Sequence, residues 1–188
     1  TILLVGIPYL QLSTVKPETA LAPYTQQELK GREVYISTGC VYCHSQQPRE
    51  SNSGPDSIRN WGRPSTPADY TFDYPHLLGT MRTGPDLLNI GVRQPSSDWH
   101  LVHLYQPRSV LPNSVMPAYP YMFELKDRAE SGDRVVRVPQ QYVPEGKIVI
   151  AGSRVLNLVA YLKSLKRNYP TQQLEIFKKV KEGLDNEK

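Results

Sequence analysis

Both cysteines of this 188-residue chain lie in Cys40-Val41-Tyr42-Cys43-His44, with a histidine directly behind the second. Two thiols three residues apart on one helical turn can each form a thioether with a vinyl group of a single haem. The adjacent imidazole then lies under the iron as proximal ligand. Other uses of Cys-x-x-Cys find no support in the rest of the chain. A zinc site needs a full set of Cys or His ligands, and there is no second Cys-x-x-Cys and no His-x-x-x-His. A thioredoxin-like redox pair calls for a βαβ setting, which this Pro-rich chain does not suggest. A disulfide across two intervening residues would be strained and would leave His44 without a role. The spacing is that of a c-type haem attachment site, with one covalent haem c as the cofactor.

The iron then needs a second axial ligand or an open site. The candidates are Met81, Met116 and Met122, and His76, His100 and His103. Met116 is preferred: Val115-Met116-Pro117 lies in an irregular Pro-rich segment able to carry a side chain over the opposite haem face, and a thioether ligand raises the potential relative to two imidazoles. Met81 and Met122 read as packing residues. In Thr83-Gly84-Pro85-Asp86-Leu87 the Pro85 carbonyl is placed to accept the Nδ1 proton of His44, fixing its tautomer. His100 and His103 lie three apart on one helix face and suit either propionate or partner contacts or a structural role. Arg82, Arg93 and Arg108 are candidate propionate partners through bidentate bonds, against the common alternative of solvated arginines.

The elements that must hold these groups are short. Seventeen prolines and twelve tyrosines with only 39% hydrophobic residues describe a loop-rich chain with a modest core, to which the haem would add. The length suits one haem domain. Net charge is +4 and the pI is near 9.0, with Lys and Arg scattered until residue 160. No basic stripe interleaved with aromatics points to nucleic acid, and the mild basicity fits a solvated face or docking to an acidic partner or a membrane surface.

The chain opens Thr1-Ile-Leu-Leu-Val-Gly-Ile-Pro-Tyr-Leu10, a stretch that as a helix covers about 15 Å, half of a bilayer's hydrocarbon core. Two readings stand for it: the outer end of a transmembrane anchor, or an apolar segment packed on the protein. There is no basic n-region or clear cleavage site of a signal peptide. Residues 11–23 read as a linker, and Thr25-Gln-Gln-Glu28 is a capping-box pattern opening a helix toward the Cys-x-x-Cys-His turn. Residues 45–84 read as a long structured loop. A short helix follows from a cap at Ser96 or Ser97 to Pro107, then a β-hairpin over 135–151 around Pro144-Glu-Gly146. Ser153 caps the clearest helix, with Val155, Leu158, Val159, Leu162 and Leu165 at helical spacing and a stop near Asn168-Tyr-Pro170. This helix is expected on the first, with Gly31 admitting Tyr161. Residues 172–188 read as a charged amphipathic helix.

The order of helix, Cys-x-x-Cys-His, Thr-Gly-Pro-x-Leu, Met-Pro and a final Leu-x-x-Tyr-Leu resembles the class I cytochrome c fold. A closer resemblance rests on Gly31-Arg-Glu-Val-Tyr-Ile36, Gly39-Cys-Val-Tyr-Cys-His-Ser-Gln-Gln47, Tyr74-Pro-His76, Arg82-Thr-Gly-Pro-Asp-Leu87, Asp98-Trp-His100, His103-Leu104, Pro107-Arg-Ser-Val110 and Met116-Pro-Ala-Tyr-Pro120. Together these are similar to the mono-haem cytochrome c subunit of cbb-type haem-copper oxidases, the FixO or CcoO family, densely from about residue 24 to 123. The long insertion between the haem turn and the Gly-Pro turn is also the family's. The resemblance implies His44 and Met116 as axial ligands, an N-terminal membrane anchor, a periplasmic haem domain at the bacterial inner membrane, and a cytochrome electron donor. It also implies other cytochrome c subunits beside a haem-copper subunit that reduces oxygen. It tilts the apolar start toward an anchor end.

The expected organisation is therefore mainly α. Residues 1–12 are the end of an anchor, 13–24 a linker, 25–170 a class I cytochrome c domain with the long loop and small hairpin insertions, and 171–188 a charged helical tail. Residues 124–152, the basic tail and Met81, where a basic residue is expected, depart from the family pattern. With both axial positions filled the chain is an electron carrier without turnover of its own. The rival readings are a freestanding periplasmic cytochrome c acting as a mobile carrier, a haem enzyme such as a peroxidase with an open distal site, and a haem-based gas sensor.

Overall fold

Two helices crossing at a glycine form the centre of the molecule, seen in a computed structural model that describes residues 2–50, 52–171, 175, 176 and 179. Helix α1 (Ile7–Ser13), preceded by a π-helical turn at Ile2–Gly6, has no buried residue. Helix α2 (Gln26–Ser37) starts at the predicted capping box. Thr25 Oγ1 accepts the Glu28 N–H at 3.3 Å and the Glu28 carboxylate accepts the Thr25 N–H at 2.7 Å, so two otherwise orphaned donors are satisfied. Helix α5 (Ser153–Ser164) buries Val155, Leu158, Val159, Tyr161 and Leu162 along one stripe. Each such aliphatic side chain taken from water contributes roughly 1.5–3 kcal/mol.

The predicted close crossing of α2 and α5 is present. A Cβ on Gly31 would fall 2.0 Å from the Asn157 carbonyl oxygen and 2.8 Å from Tyr161 Cβ, so only glycine permits this approach. Between these helices in sequence lie α3 (Ile90–Arg93) and α4 (Ser97–Tyr105). The Oγ of Ser96 caps α4, accepting the Trp99 N–H at 3.2 Å.

A three-stranded antiparallel sheet in the order β1-β3-β2 packs beside the helices: β1 is Phe123–Lys126, β2 Val135–Val136 and β3 Ile148–Ala151. The register pairs Phe123 with Ala151 and Val136 with Val149. The expected hairpin is thus two of three strands. A 3-10 turn at Gln140–Tyr142 interrupts the return, and the missed strand β1 supplies the second neighbour of β3.

Other expectations need correction at their ends. The cap of α5 is Gly152, without a side-chain bond, and the helix ends at Ser164, ahead of the expected stop; Leu165 beyond it is still fully buried. The N-terminal helix runs to Ser13, into the expected linker. Among the described residues no helix is long and apolar enough to cross a membrane. The predicted helix over 172–188 lies outside the described residues, apart from isolated positions.

The long loop after the haem turn is held by buried ion pairs. Asp56 faces Arg82 at 2.7 Å and Arg49 at 3.3 Å, Asp69 faces Arg63 at 2.6 Å, and Asp73 faces Arg32 at 3.2 Å. Thr66 and Asp69 form a second capping box on the 3-10 turn Pro67–Tyr70.

Candidate haem site

The Cys40–His44 turn starts where α2 ends. Gly39 takes the left-handed conformation, φ 75°, that reverses the chain there. The N–H groups of Cys43 and His44 then return to the Cys40 carbonyl at 3.2 and 2.9 Å, placing both thiols on a single helical turn. Cys40 is buried and Cys43 half-buried, and both are free thiols.

The next residues zip against the Thr-Gly-Pro turn. Gly84 N–H donates to the Cys43 carbonyl and Leu87 N–H to the Ser45 carbonyl, each at 3.0 Å. The fully buried Asp86 accepts from Ser45 Oγ at 2.9 Å, Gln47 N–H at 2.6 Å and Leu88 N–H at 2.9 Å. Within this seam His44 Nδ1 meets the Pro85 carbonyl at 2.8 Å, the contact expected from sequence. A carbonyl only accepts, so Nδ1 carries the proton and Nε2 keeps its lone pair. Burial pushes the pKa of this imidazole below its ordinary value, and the Pro85 bond opposes that only in part. A Cβ on Gly84 would lie 2.2 Å from His44 Cε1, so the glycine is a cradle for the ring. Sequence reasoning quoted this glycine without seeing that role. It also missed Tyr35, whose hydroxyl donates to the His44 carbonyl at 2.7 Å.

Two adjoining cavities of about 270 and 280 Å³ open beside this turn, and Cys40, His44, His103, Leu111 and Met116 line both. Together they reach the size of sites that hold cofactor-sized ligands, roughly 300–1,000 Å³. The first has apolar walls from Leu87, Ile90, Leu104, Leu158 and Leu162, with Arg93 and Trp99 at its polar end. The second runs past Cys43 and Gly84 to Val115 and Tyr119. Met116 is set there by a loop whose Tyr119 N–H donates to the Leu104 carbonyl at 2.9 Å. The two thiols, an imidazole with its lone pair free, and a thioether therefore meet one largely apolar slot. That donor set fits a haem, and the ring cradle at Gly84 fits a fixed axial imidazole.

The remaining candidates separate. Met122 is buried as a packing residue and Met81 is half exposed, away from the slot. His76 packs edge-on against Tyr70. His100 Nε2 meets the Gln94 carbonyl at 2.8 Å, a structural bond. His103 stacks on Trp99 at 4.6 Å, and burial, with His44 and His100 nearby, pushes its pKa down to about 4.

Arg82 does not face the slot, contrary to its expected role toward a propionate. Its guanidinium is consumed by Asp56, the Gln47 carbonyl at 2.9 Å and Ser45 Oγ, because the loop returns a buried carboxylate to it. Arg108 is exposed. Arg93 is the arginine that lines the slot.

Comparison with known families finds that the model described as "Cytochrome C oxidase, mono-heme subunit/FixO" matches residues 2–144. No curated protein matches the chain. Since the match covers well over half of the sequence and includes the attachment turn, the Gly-Pro seam and Met116, the chain belongs to the FixO family of mono-haem cytochrome c oxidase subunits, electron-transport components of that oxidoreductase complex that carry one haem c.

Proposed function

We propose that this chain is the electron-transfer subunit of a membrane-bound cbb-type terminal oxidase, folded over residues 25–170 as a class I cytochrome c. The observation that carries this reading is the convergence of Cys40, Cys43, His44 and Met116 on one slot, with the His44 tautomer set by Pro85. When bound, the haem supplies a one-electron Fe(III)/Fe(II) couple. Cys40 and Cys43 would tether it through thioethers, and His44, through Nε2, and Met116, through its thioether, would hold its iron. The Pro85 carbonyl holds the Nδ1 proton and thereby makes His44 the more basic ligand. With the iron held by two side chains the chain would bind no substrate there and would carry electrons without turnover of its own.

Its work is to accept single electrons from a cytochrome donor and deliver them to the haem-copper subunit, alongside the other cytochrome c subunits. Tyr42 and Val115, 73% and 75% exposed, lie beside Cys43 and Met116 and give partners an apolar approach. The exposed apolar side chains of Ile2, Leu3, Leu4 and Leu10 support a membrane contact at the N-terminal helix, the anchor end, with the haem domain on the periplasmic face of the bacterial inner membrane.

A reduced-minus-oxidised spectrum of the tagged protein, gently extracted from membranes, together with its oxygen uptake tests the reading. Co-purified b-type haem and cyanide-sensitive uptake are expected. Haem c alone in the soluble fraction would overturn the subunit reading in favour of a mobile carrier.

A further inference from the structure

We propose that Arg93 and His103 together bind one carboxylate of the haem, with Arg93 Nε–H and His103 Nδ1–H as its donors. This assignment rests on the haem reading above. Among the described residues, three buried side-chain polar atoms have no hydrogen-bond partner: Arg93 Nε, His103 Nδ1 and Gln106 Oε1. The first two belong to residues lining the same 270 Å³ cavity, the one bounded by His44 and Met116. Gln106 lines neither of the two cavities of the slot.

A buried polar atom without a partner carries its full desolvation cost; Arg93 Nε–H is a fixed donor, His103 in the tautomer protonated at Nδ1 supplies a second, and an anionic acceptor would satisfy both in this largely apolar slot. Arg93 differs here from its counterparts. Arg32, Arg63 and Arg82 each face a buried aspartate, and Arg167 is occupied by the Asp69 and Ser164 carbonyls and the Tyr24 hydroxyl. No carboxylate among the described residues lies within 4.0 Å of Arg93; one Nη is tied to the Asp86 carbonyl at 2.5 Å, which anchors the guanidinium, and Nε is buried without a partner.

The two donors are set by separate elements locked together. Arg93 ends α3, His103 lies on α4, and the His100 Nε2 contact with the Gln94 carbonyl at 2.8 Å clamps the residue after Arg93 onto α4. Trp99 stacks on His103 with an interplanar angle of 11°, holding the ring from one side. Both donors are thus positioned by the protein, as a buried carboxylate site requires. The haem carries carboxylates on its propionate arms, and no protein carboxylate fills the site.

The test uses the full-length chain in its purified complex, with Arg93→Leu, Arg93→Lys, His103→Phe and the exposed control Arg108→Leu. Resonance Raman spectra of the propionate bending modes and potentiometric titration of haem c are the readouts. Arg93→Leu is expected to shift a propionate mode and lower the midpoint potential, because loss of a cation beside the carboxylate favours the ferric state. Arg93→Lys should restore most of the potential without restoring the mode. His103→Phe, which keeps the stack on Trp99, should shift the same mode with a smaller change in potential, and Arg108→Leu should change neither. Unshifted modes and potentials in Arg93→Lys and His103→Phe, with haem covalently attached and the iron–thioether band intact, would overturn the assignment alone. A parent protein without thioether-linked haem would overturn the haem reading and this assignment with it.

Discussion

The two sides of the slot are built differently. On the His44 side, main-chain bonds join residues 43–45 to 84–87, Asp86 collects three donors, and the ring is held by Pro85, with the Tyr35 hydroxyl on its carbonyl. On the Met116 side, Leu111, Pro112, Asn113, Val115 and Pro117 are exposed, and the loop is held by Ser114 N–H to the Leu111 carbonyl at 2.9 Å, Met116 N–H to Ser114 Oγ at 3.2 Å and the Tyr119–Leu104 bond. The imidazole is therefore placed by the protein itself, whereas the thioether is placed by a surface loop. The Met116 side is therefore the one that can yield.

Gly84→Ala breaks the stronger side directly. Its Cβ meets the His44 ring at 2.2 Å, and either the ring or the seam must move. We expect a loss of about 3 kcal/mol, the upper end for overpacking, with a low yield of normally ligated haem. Chemical unfolding and the absorption spectrum check it, and a variant with parental stability and spectrum would show that the seam is not rigid.

Asp86→Ala removes the carboxylate from three donors and is expected to cost about 2–3 kcal/mol. The same unfolding experiment reads it, and a loss below that of an average surface substitution would remove Asp86 from the seam's support.

Acid should act on the same side through Asp56. Burial alone raises its pKa, but hydrogen bonds from Arg82 and Arg49 outweigh this and hold the carboxyl well below the usual carboxylate range. A folded pKa below the unfolded one gives stability that is fully present above about pH 4 and lost as pH falls toward the folded value. Urea midpoints measured in steps downward from pH 5 should fall, and Asp56→Asn, itself roughly 2–3 kcal/mol less stable at pH 7, should flatten that fall. An undiminished acid slope in the variant would move the effect to another carboxylate.

Met116→Ala tests the yielding side. A half-buried methionine in a loop should cost about 1–2 kcal/mol, below the 2–5 typical of a core site. Haem should stay attached while the potential drops and added imidazole binds. A spectrum and potential equal to the parent's would exclude Met116 as the ligand. Val115→Ser, on the exposed rim, should change stability by less than about 0.5 kcal/mol and slow only the exchange of electrons with a partner, measured by stopped flow.

How much of this was legible in the sequence follows the same division. The α2 capping box, the cap at Ser96 or Ser97, which falls on Ser96, and the His44–Pro85 contact are each written in a few adjacent residues or a turn with one geometry, and all three are found. The crossing at Gly31 was readable because a glycine opposite an aromatic leaves few alternatives. Strand β1 was not readable: Phe-Glu-Leu-Lys is short, and its pairing with Ile148–Ala151 is settled by a partner distant in sequence. Arg82 reads as a cofactor contact in the sequence alone, because sequence does not say which arginine meets which aspartate. The loop carries Asp56, Asp69 and Asp73, and all three are buried against arginines.

One wall of the slot has a consequence for how the molecule comes into being. Leu158 and Leu162 of α5 line the cavity, and the Tyr161 hydroxyl exchanges hydrogen bonds with Gln46, at 3.0 and 3.1 Å, across the whole domain. The Cys40–His44 turn is thus synthesised long before the element that closes over it. Until α5 is made both thiols stand in an unfinished groove, and the arrival of α5 completes its wall. The last step of folding thus depends on contacts far apart in the chain, the kind that form slowly.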